Sequence, residues 1–97
     1  MSSDQKFTTI TSTGQVKTIS GGSTDLGPAR ITYIQCEGVA ASKIILRDAT
    51  SGTGAKVFEA DFGTEGLDMY IPGNGIRFET AVHITITATT SVTLGYT

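Results

Sequence analysis

The fold class is decided by the stretch VHITITATTSVTLGY, residues 82–96. Apolar and polar side chains alternate over Val82–Thr87, and the alternation resumes over Val92–Tyr96 after a short polar connection. A period of two residues is typical of β-strands that bury one face. We therefore predict two strands joined as a β-hairpin with one apolar face buried. The residues predicted to be buried on that face are Val82, Ile84, Ile86, Val92, Leu94 and Tyr96.

Strand-like segments recur upstream, and no window of a dozen residues has the apolar spacing of a helix. Leu67–Ile71 and Ile76–Phe78 flank the turn sequence PGNG at residues 72–75 and are predicted to form a second hairpin. The remaining predicted strands are Phe7–Ile10, Gln15–Ile19, Ile31–Cys36, Ile44–Leu46 and Val57–Phe62. Short strands at this spacing predict an all-β fold: a single small antiparallel β-sandwich or jelly-roll-like domain of about eight strands. It spans residues 1–97, with residues 1–6 as a candidate docking arm.

Length and charge set limits on the partners. Ninety-seven residues fit one domain that buries somewhat less than two thirds of its unfolded surface. Seven basic against nine acidic side chains give a net charge of -2, and the basic residues are scattered along the sequence, so we expect no nucleic-acid partner. No apolar run is long enough to span a membrane, and residues 1–6 lack the apolar core of a signal peptide. We expect synthesis in a cytoplasm and no membrane partner.

Two residues invite a chemical role, and neither has the sequence context for it. His83 is the single histidine and lies in the polar phase of its strand, so we interpret it as a solvated or interface residue. Cys36 is the single cysteine, which excludes an intrachain disulfide, and in an apolar strand it behaves as a small hydrophobe. We therefore predict no catalytic, metal-binding or cofactor-binding residues, no cofactor, and no enzymatic activity; a small hydrolase is the least favoured class.

Three other features of the sequence are weaker candidates for binding sites. Ser51–Lys56 has glycines only two residues apart and is followed by a strand, so a connecting loop is favoured over a phosphate-binding loop. Asp61, Glu65 and Asp68 surround one loop and are an open alternative for calcium. A sugar platform would have to come from the tyrosines Tyr33, Tyr70 and Tyr96, because Phe7, Phe58, Phe62 and Phe78 are interpreted as core.

Ile31–Cys36 and Ile44–Leu46 carry apolar residues in both phases of the alternation, more than one sheet face hides. The second face must be covered by crossing loops, by a neighbouring subunit or by a larger shell, and we expect a symmetric oligomer. The candidate interface residues are Ile31, Tyr33, Ile34, Cys36, Ile44, Ile45 and Leu46.

Three stretches together carry a family resemblance: Lys43–Asp48 with the Gly/Ser/Thr loop after it, Tyr70–Phe78, and Val82–Thr87 with Ser91–Tyr96. Over residues 30–97 the chain resembles small β-sandwich virion proteins of tailed phages, particularly phages of marine bacteria, such as capsid decoration (cement) proteins and knob or fibre-base proteins. The resemblance implies a location in the virion and no catalytic residues. It also implies that the oligomer is a trimer, because decoration proteins commonly sit at threefold positions of a capsid lattice.

The resemblance also implies a function. We expect a structural virion protein, a capsid decoration protein that binds the major capsid protein or another virion protein and stabilises the head shell. The alternative is a tail, fibre or knob module that binds a host-surface glycan or protein.

Overall fold

This computed structural model describes residues 6–89 and 91–97. They contain nine strands and one 3-10 helix, joined by turns and loops. The strands are β1 Lys6–Ile10, β2 Gly14–Gln15, β3 Ala29–Cys36, β4 Lys43–Arg47, β5 Lys56–Asp61, β6 Leu67–Tyr70, β7 Ile76–Phe78, β8 His83–Thr87 and β9 Val92–Tyr96. The 3-10 helix is Gly63–Glu65. The predicted all-β class is confirmed.

The strands form two antiparallel sheets around a shared core. Sheet 1 has the order β1-β9-β3, with β6 and β7 both paired to the free edge of β3. Sheet 2 has the order β2-β8-β4-β5. When β6 and β7 are counted as one interrupted strand, the molecule has eight strands in two four-stranded sheets, an order of the jelly-roll type.

The predicted C-terminal hairpin is wrong. Strand β8 pairs with β2 and β4 in sheet 2, whereas β9 lies between β1 and β3 in sheet 1. The burial prediction for the same residues succeeds: Val82, Ile84, Val92 and Leu94 are fully buried, Tyr96 is nearly so and Ile86 is half-buried. Alternation reports which side chains face a core, and that is the same whether the next strand is a neighbour or lies across the sandwich.

The second predicted hairpin is also wrong. Tyr70 in β6 lies opposite Tyr33, and Ile76 in β7 lies opposite Ile31, so both strands run along the same edge of β3. The PGNG sequence at residues 72–75 is an outward loop within that edge. A side chain at Gly75 would meet the Ile31 carbonyl oxygen, and its φ of +76° favours glycine, so the turn residues serve this close approach.

A register shift in β3 explains its apparent excess of apolar residues. Pairing with β9 shifts between Ile31 and Tyr33, which turns both Ile31 and Ile34 into the core, each fully buried. In β4 the inner positions Ile44 and Leu46 are fully buried, while Ile45 is half-buried on the outer face. The apolar side chains of β3 and β4 are therefore largely buried within one chain.

The predicted strand Phe7–Ile10 is present as β1, whereas the predicted strand Gln15–Ile19 is much shorter. Only Gln15 of it lies in a strand, β2, and Val16 is fully buried while its amide donates to the Val82 carbonyl. Of the candidate docking arm, residues 1–5 lie outside the described residues, and Lys6 opens β1.

Candidate functional site

The outer face of sheet 1 carries a row of aromatic side chains. Phe7 and Tyr33 both lie opposite Gly95, and Tyr70 lies opposite Tyr33, so the three rings follow one line across β1, β9, β3 and β6. We call Phe7, Tyr33 and Tyr70 the aromatic row. At about 4.8 Å per strand it spans roughly 14 Å. Phe7 is 56% exposed and Tyr70 is 70% exposed.

The aromatic row is held in place from both sides of Tyr33. Because Gly95 has no side chain, the rings of Phe7 and Tyr33 meet above it, edge to face with centroids 6.2 Å apart. The Tyr33 hydroxyl donates to Asp68 Oδ1 at 2.6 Å. That hydrogen bond to a carboxylate raises the pKa of Tyr33 above its ordinary value and keeps the phenol protonated.

Two guanidinium groups lie beside the aromatic row. Arg30 in β3 and Arg77 in β7 are register partners whose inward neighbours Ala29, Ile31 and Phe78 are buried, so both arginines are on the outer face. We call them the arginine pair. The pair borders an open cleft of about 310 Å³ that is also lined by Pro28 and Thr97. Like charges directly opposite each other destabilise a sheet unless an anion neutralises them.

Hydrogen-bonding side chains occupy the opposite side of the aromatic row. Thr9, Thr93, Gln35 and Asp68 follow one line across the same four strands, and we call them the polar row. The hydroxyls of Thr9 and Thr93 lie 3.0 Å apart in a hydrogen bond. The outer face of sheet 1 therefore runs from cationic through aromatic to polar and acidic over roughly 15 Å.

The outer face of sheet 2 is different in kind. Glu59 accepts from Lys43 at 2.7 Å and from Lys56 at 3.2 Å, and these bonds lower the pKa of Glu59. The Arg47 guanidinium donates through Nη1 to Thr85 Oγ1 at 2.9 Å and through Nε to the Gly54 carbonyl at 3.1 Å. On this face Lys43, Lys56, Glu59 and Arg47 therefore all have ion-pair or hydrogen-bond partners within the chain.

The seven candidate interface residues are divided among three places. Five belong to the core and expose little or no surface for a partner: Ile31, Ile34, Cys36, Ile44 and Leu46. Tyr33 lies on the outer face of sheet 1, and Ile45 lies half-buried on the opposite outer face. A single flat interface can therefore use Tyr33 or Ile45, and not both.

His83 is buried, contrary to the solvated interpretation. It lies in an outer position of β8 between Gln15 and Arg47, yet it is 7% exposed because the β4–β5 loop covers it, with Gly52 above the ring. Its Nδ1 has no hydrogen-bond partner. Burial and the nearby Arg47 charge lower the pKa of His83, which favours the neutral ring.

Cys36 is in the core, where a nucleophile could not reach a substrate. The residue is 5% exposed, and burial raises the pKa of its thiol to about 11. A thiol with so high a pKa is protonated at neutral pH and reacts poorly. The core interpretation of Cys36 agrees with this placement.

The other motifs can also be placed. Ser51–Lys56 forms the connection of the β4–β5 hairpin and the first residue of β5. Asp68 points outward on sheet 1, whereas Asp61 ends β5 in sheet 2, and no group of three potential metal ligands occurs in residues 6–89 and 91–97. No helix in the same residues is long and apolar enough to cross a membrane.

A second cleft, of about 360 Å³, lies between β1, the β1–β2 turn and residues 19–22. It is lined mostly by hydroxyls and backbone, and its one ammonium group, on Lys17, is paired with Asp25. No set of charged or aromatic groups converges there.

Sequence reasoning missed two parts of the candidate site. Phe7 was interpreted as core, but Thr8 is the buried neighbour and Phe7 faces out. The signal was present in the β1 pattern, because Thr8 and Ile10 share the inner phase. Arg30 and Arg77 are 47 positions apart, and only the strand pairing brings them together. Tyr96, by contrast, is excluded as a sugar platform, because it is buried and its hydroxyl donates to the Thr18 carbonyl.

Comparison with known proteins gives no further guide: no family model, no curated protein and no solved structure matches this chain. The candidate site therefore has to be interpreted from its own geometry.

Proposed function

We propose that this chain is a structural binding domain of a tailed-phage particle that uses the outer face of sheet 1 to attach to a surface. In the first form of the proposal the surface is the head shell, and the chain is a capsid decoration protein bound to the major capsid protein. In the second form the chain is a tail, fibre or knob module, and the surface is a host glycan or protein.

One observation supports a role in binding: the aromatic row is exposed on a face that also carries the arginine pair. Removing Phe7 and Tyr70 from water is favourable, and both residues lie in strands. On the opposite face, Glu59 forms ion pairs with Lys43 and Lys56 within the chain.

The fold is compatible with both forms, because sandwiches of the jelly-roll type occur in capsid proteins and in lectins. That compatibility is an analogy of fold and carries no information on the partner. The phage context comes from the sequence resemblance alone. Trimerisation is part of the proposal for the first form.

The experiment compares Tyr70→Ala with Thr87→Ala, an exposed outer position of sheet 2. Purified protein is mixed with phage heads and, separately, with host cells, and the bound fraction is measured after sedimentation. We expect Tyr70→Ala to lose binding in one of the two assays and Thr87→Ala to keep it. Binding to heads supports the decoration role, and binding to cells supports the tail module. If the protein binds neither and is absent from purified particles by mass spectrometry, the proposal is wrong.

A further inference from the structure

Within the described residues, Arg77 is the member of the arginine pair that forms an ion pair with a carboxylate: its Nε lies 4.0 Å from Glu79 Oε1, and both side chains are well exposed. A contact of that length in water contributes little. Arg30 has no ion pair with any described carboxylate. Two guanidinium groups facing the same way in adjacent strands form a fork for one planar anion, such as a carboxylate.

The fork and the aromatic row face the same side of the molecule. Arg30 and Tyr33 lie three residues apart in β3, and Arg77 and Tyr70 flank the outward loop at residues 72–75. Three residues of a strand span roughly 10 Å, so an extended ligand of several units can contact a guanidinium and a tyrosine ring together.

The polar row supplies the third kind of contact. Gln35 presents an amide that both donates and accepts, and Asp68 has acceptor capacity beyond the bond from Tyr33. The ligand that fits has a ring with an apolar face, several hydroxyls and a carboxylate. A sugar acid combines these three features in one molecule.

We propose that the outer face of sheet 1 binds an acidic saccharide, with sugar rings stacked on Tyr33 and Tyr70 and a sugar carboxylate held by Arg30 and Arg77. Hydroxyl groups of the sugar bond to Gln35 and Asp68. The proposal deepens the second form of the proposed function and rests on this face being the binding face.

Two other occupants fit less well. Single-stranded nucleic acid also stacks on aromatic rings, but a net charge of -2 and the Asp68 carboxylate beside the row oppose a phosphate backbone. A second copy of the chain, turned by a two-fold rotation, would place its Asp68 against the arginine pair. However, the centres of protein interfaces are depleted of charge, and here charged side chains border the aromatic row on both sides.

The probes are short oligosaccharides of galacturonic acid, glucuronic acid and sialic acid, with methyl-esterified oligogalacturonate as the matched neutral ligand. Binding is followed by amide chemical shifts in NMR titrations and by calorimetry. We expect shifts at β3, β6 and β7 for at least one acidic probe, with weaker binding of the ester. Raising the salt concentration should weaken the acidic probe more than the ester.

Variants separate the contacts. Arg77→Gln should lower the affinity for the acidic probe at least about tenfold and leave the affinity for the ester unchanged. Tyr70→Ala should lower both affinities by a similar factor. Lys56→Gln is the charge-matched control on sheet 2 and should change neither. Circular dichroism confirms that each variant is folded.

The outcomes distinguish this inference from the proposed function. Absence of binding to all acidic probes at millimolar concentration overturns the inference, and so does equal weakening by Arg77→Gln and Lys56→Gln. Binding of oligonucleotides instead, or self-association that Tyr70→Ala abolishes, also overturns it. None of these results would contradict the proposal that the chain attaches to heads or cells. Saccharide binding without any attachment to particles or cells would leave the inference standing and remove the phage role.

Discussion

The two outer faces of this sandwich use the same strand architecture and differ in how their side chains are paired. On sheet 2, Glu59 bonds to two lysines and Arg47 bonds to Thr85 and to the loop above it. On sheet 1, the aromatic row and the arginine pair face solvent. Side chains on the sheet 2 face thus have partners within the chain, whereas Phe7 and Tyr70 on the sheet 1 face are mostly exposed.

The first prediction tests whether the inner sides of the two sheets contribute equally to one shared core. Ile84 in the middle of sheet 2 and Leu94 in the middle of sheet 1 are both fully buried in one core. Ile84→Ala and Leu94→Ala should each lower the free energy of unfolding by roughly 2–5 kcal/mol, measured by urea denaturation. Thr87→Ala, on the outer side, should cost far less. A cost for Leu94→Ala near that of Thr87→Ala would mean that sheet 1 does not share the core.

The second prediction concerns the connection between the sheets. Asp48, just after β4, accepts from the backbone amides of Glu79, Thr80 and Ala81 at 3.0, 2.8 and 3.3 Å, in the segment that leads from β7 to β8. These bonds lower the pKa of Asp48. Asp48→Ala should lower the free energy of unfolding by about 1–2 kcal/mol at pH 7, allowing for solvent screening.

The pH dependence of the Asp48 effect follows from the direction of its pKa. The lowered pKa means that the folded chain prefers the ionised carboxylate, so the contribution is complete above the ordinary carboxyl pKa and is lost as the pH falls below it. The difference between wild type and Asp48→Ala should therefore shrink between pH 5 and pH 2.5. A difference that stays constant over this range would show that the charge is irrelevant.

The third prediction concerns the loop that completes sheet 2. Because burial lowers the pKa of His83, the unfolded chain takes up a proton near pH 6.5 that the folded chain refuses. The free energy of unfolding should fall by no more than about 1.4 kcal/mol from pH 7.5 to 5.5, since one group contributes at most about 1.4 kcal/mol for each pH unit below its unfolded pKa. His83→Thr should remove this dependence. Arg47 is the charged group that faces the ring, and Gln15 is its neutral neighbour on β2.

Local pattern predicted the inner half of the molecule and failed on pairing. The alternation over Val82–Thr87 and Val92–Tyr96 identified the core residues, because burial depends on the phase within one strand. It could not show that β8 and β9 enter different sheets, since connections across a sandwich and tight hairpins leave similar polar stretches. The register shift at Ile31 and Tyr33 was likewise hidden, and it made a self-satisfied strand resemble an interface.

The candidate site was less predictable for the same reason. Of the three tyrosines predicted to be available to a ligand, Tyr33 and Tyr70 lie on the outer face and Tyr96 is buried. Phe7 joins the two outer tyrosines only through two strand pairings by way of Gly95. The arginine pair depends on the interruption between β6 and β7, which restores pairing with β3 after the outward loop. Contacts of this kind are set by tertiary register and leave no local mark in the sequence.

The fourth and smallest effect compares one residue from each outer face. Glu59→Gln removes the acceptor charge shared by Lys43 and Lys56, which lie 2.7 and 3.2 Å away. Tyr70→Ser removes a ring that is 70% exposed and has no ring partner among the described residues. We expect Glu59→Gln to lower the thermal midpoint slightly in low salt and to match wild type in 1 M NaCl, because exposed ion pairs are screened.

Tyr70→Ser should leave the midpoint unchanged at both salt concentrations, because the ring is exposed in the folded chain much as it is in the unfolded one. The pair of variants therefore separates stability from binding. If the sheet 1 face binds a ligand, Tyr70→Ser should lower the affinity for that ligand, whereas Glu59→Gln should lower the thermal midpoint alone. A drop in the midpoint of Tyr70→Ser larger than that of Glu59→Gln would mean that the aromatic row helps to hold sheet 1 together. Its exposure would then be a by-product of strand packing, and the case for a binding face would fall.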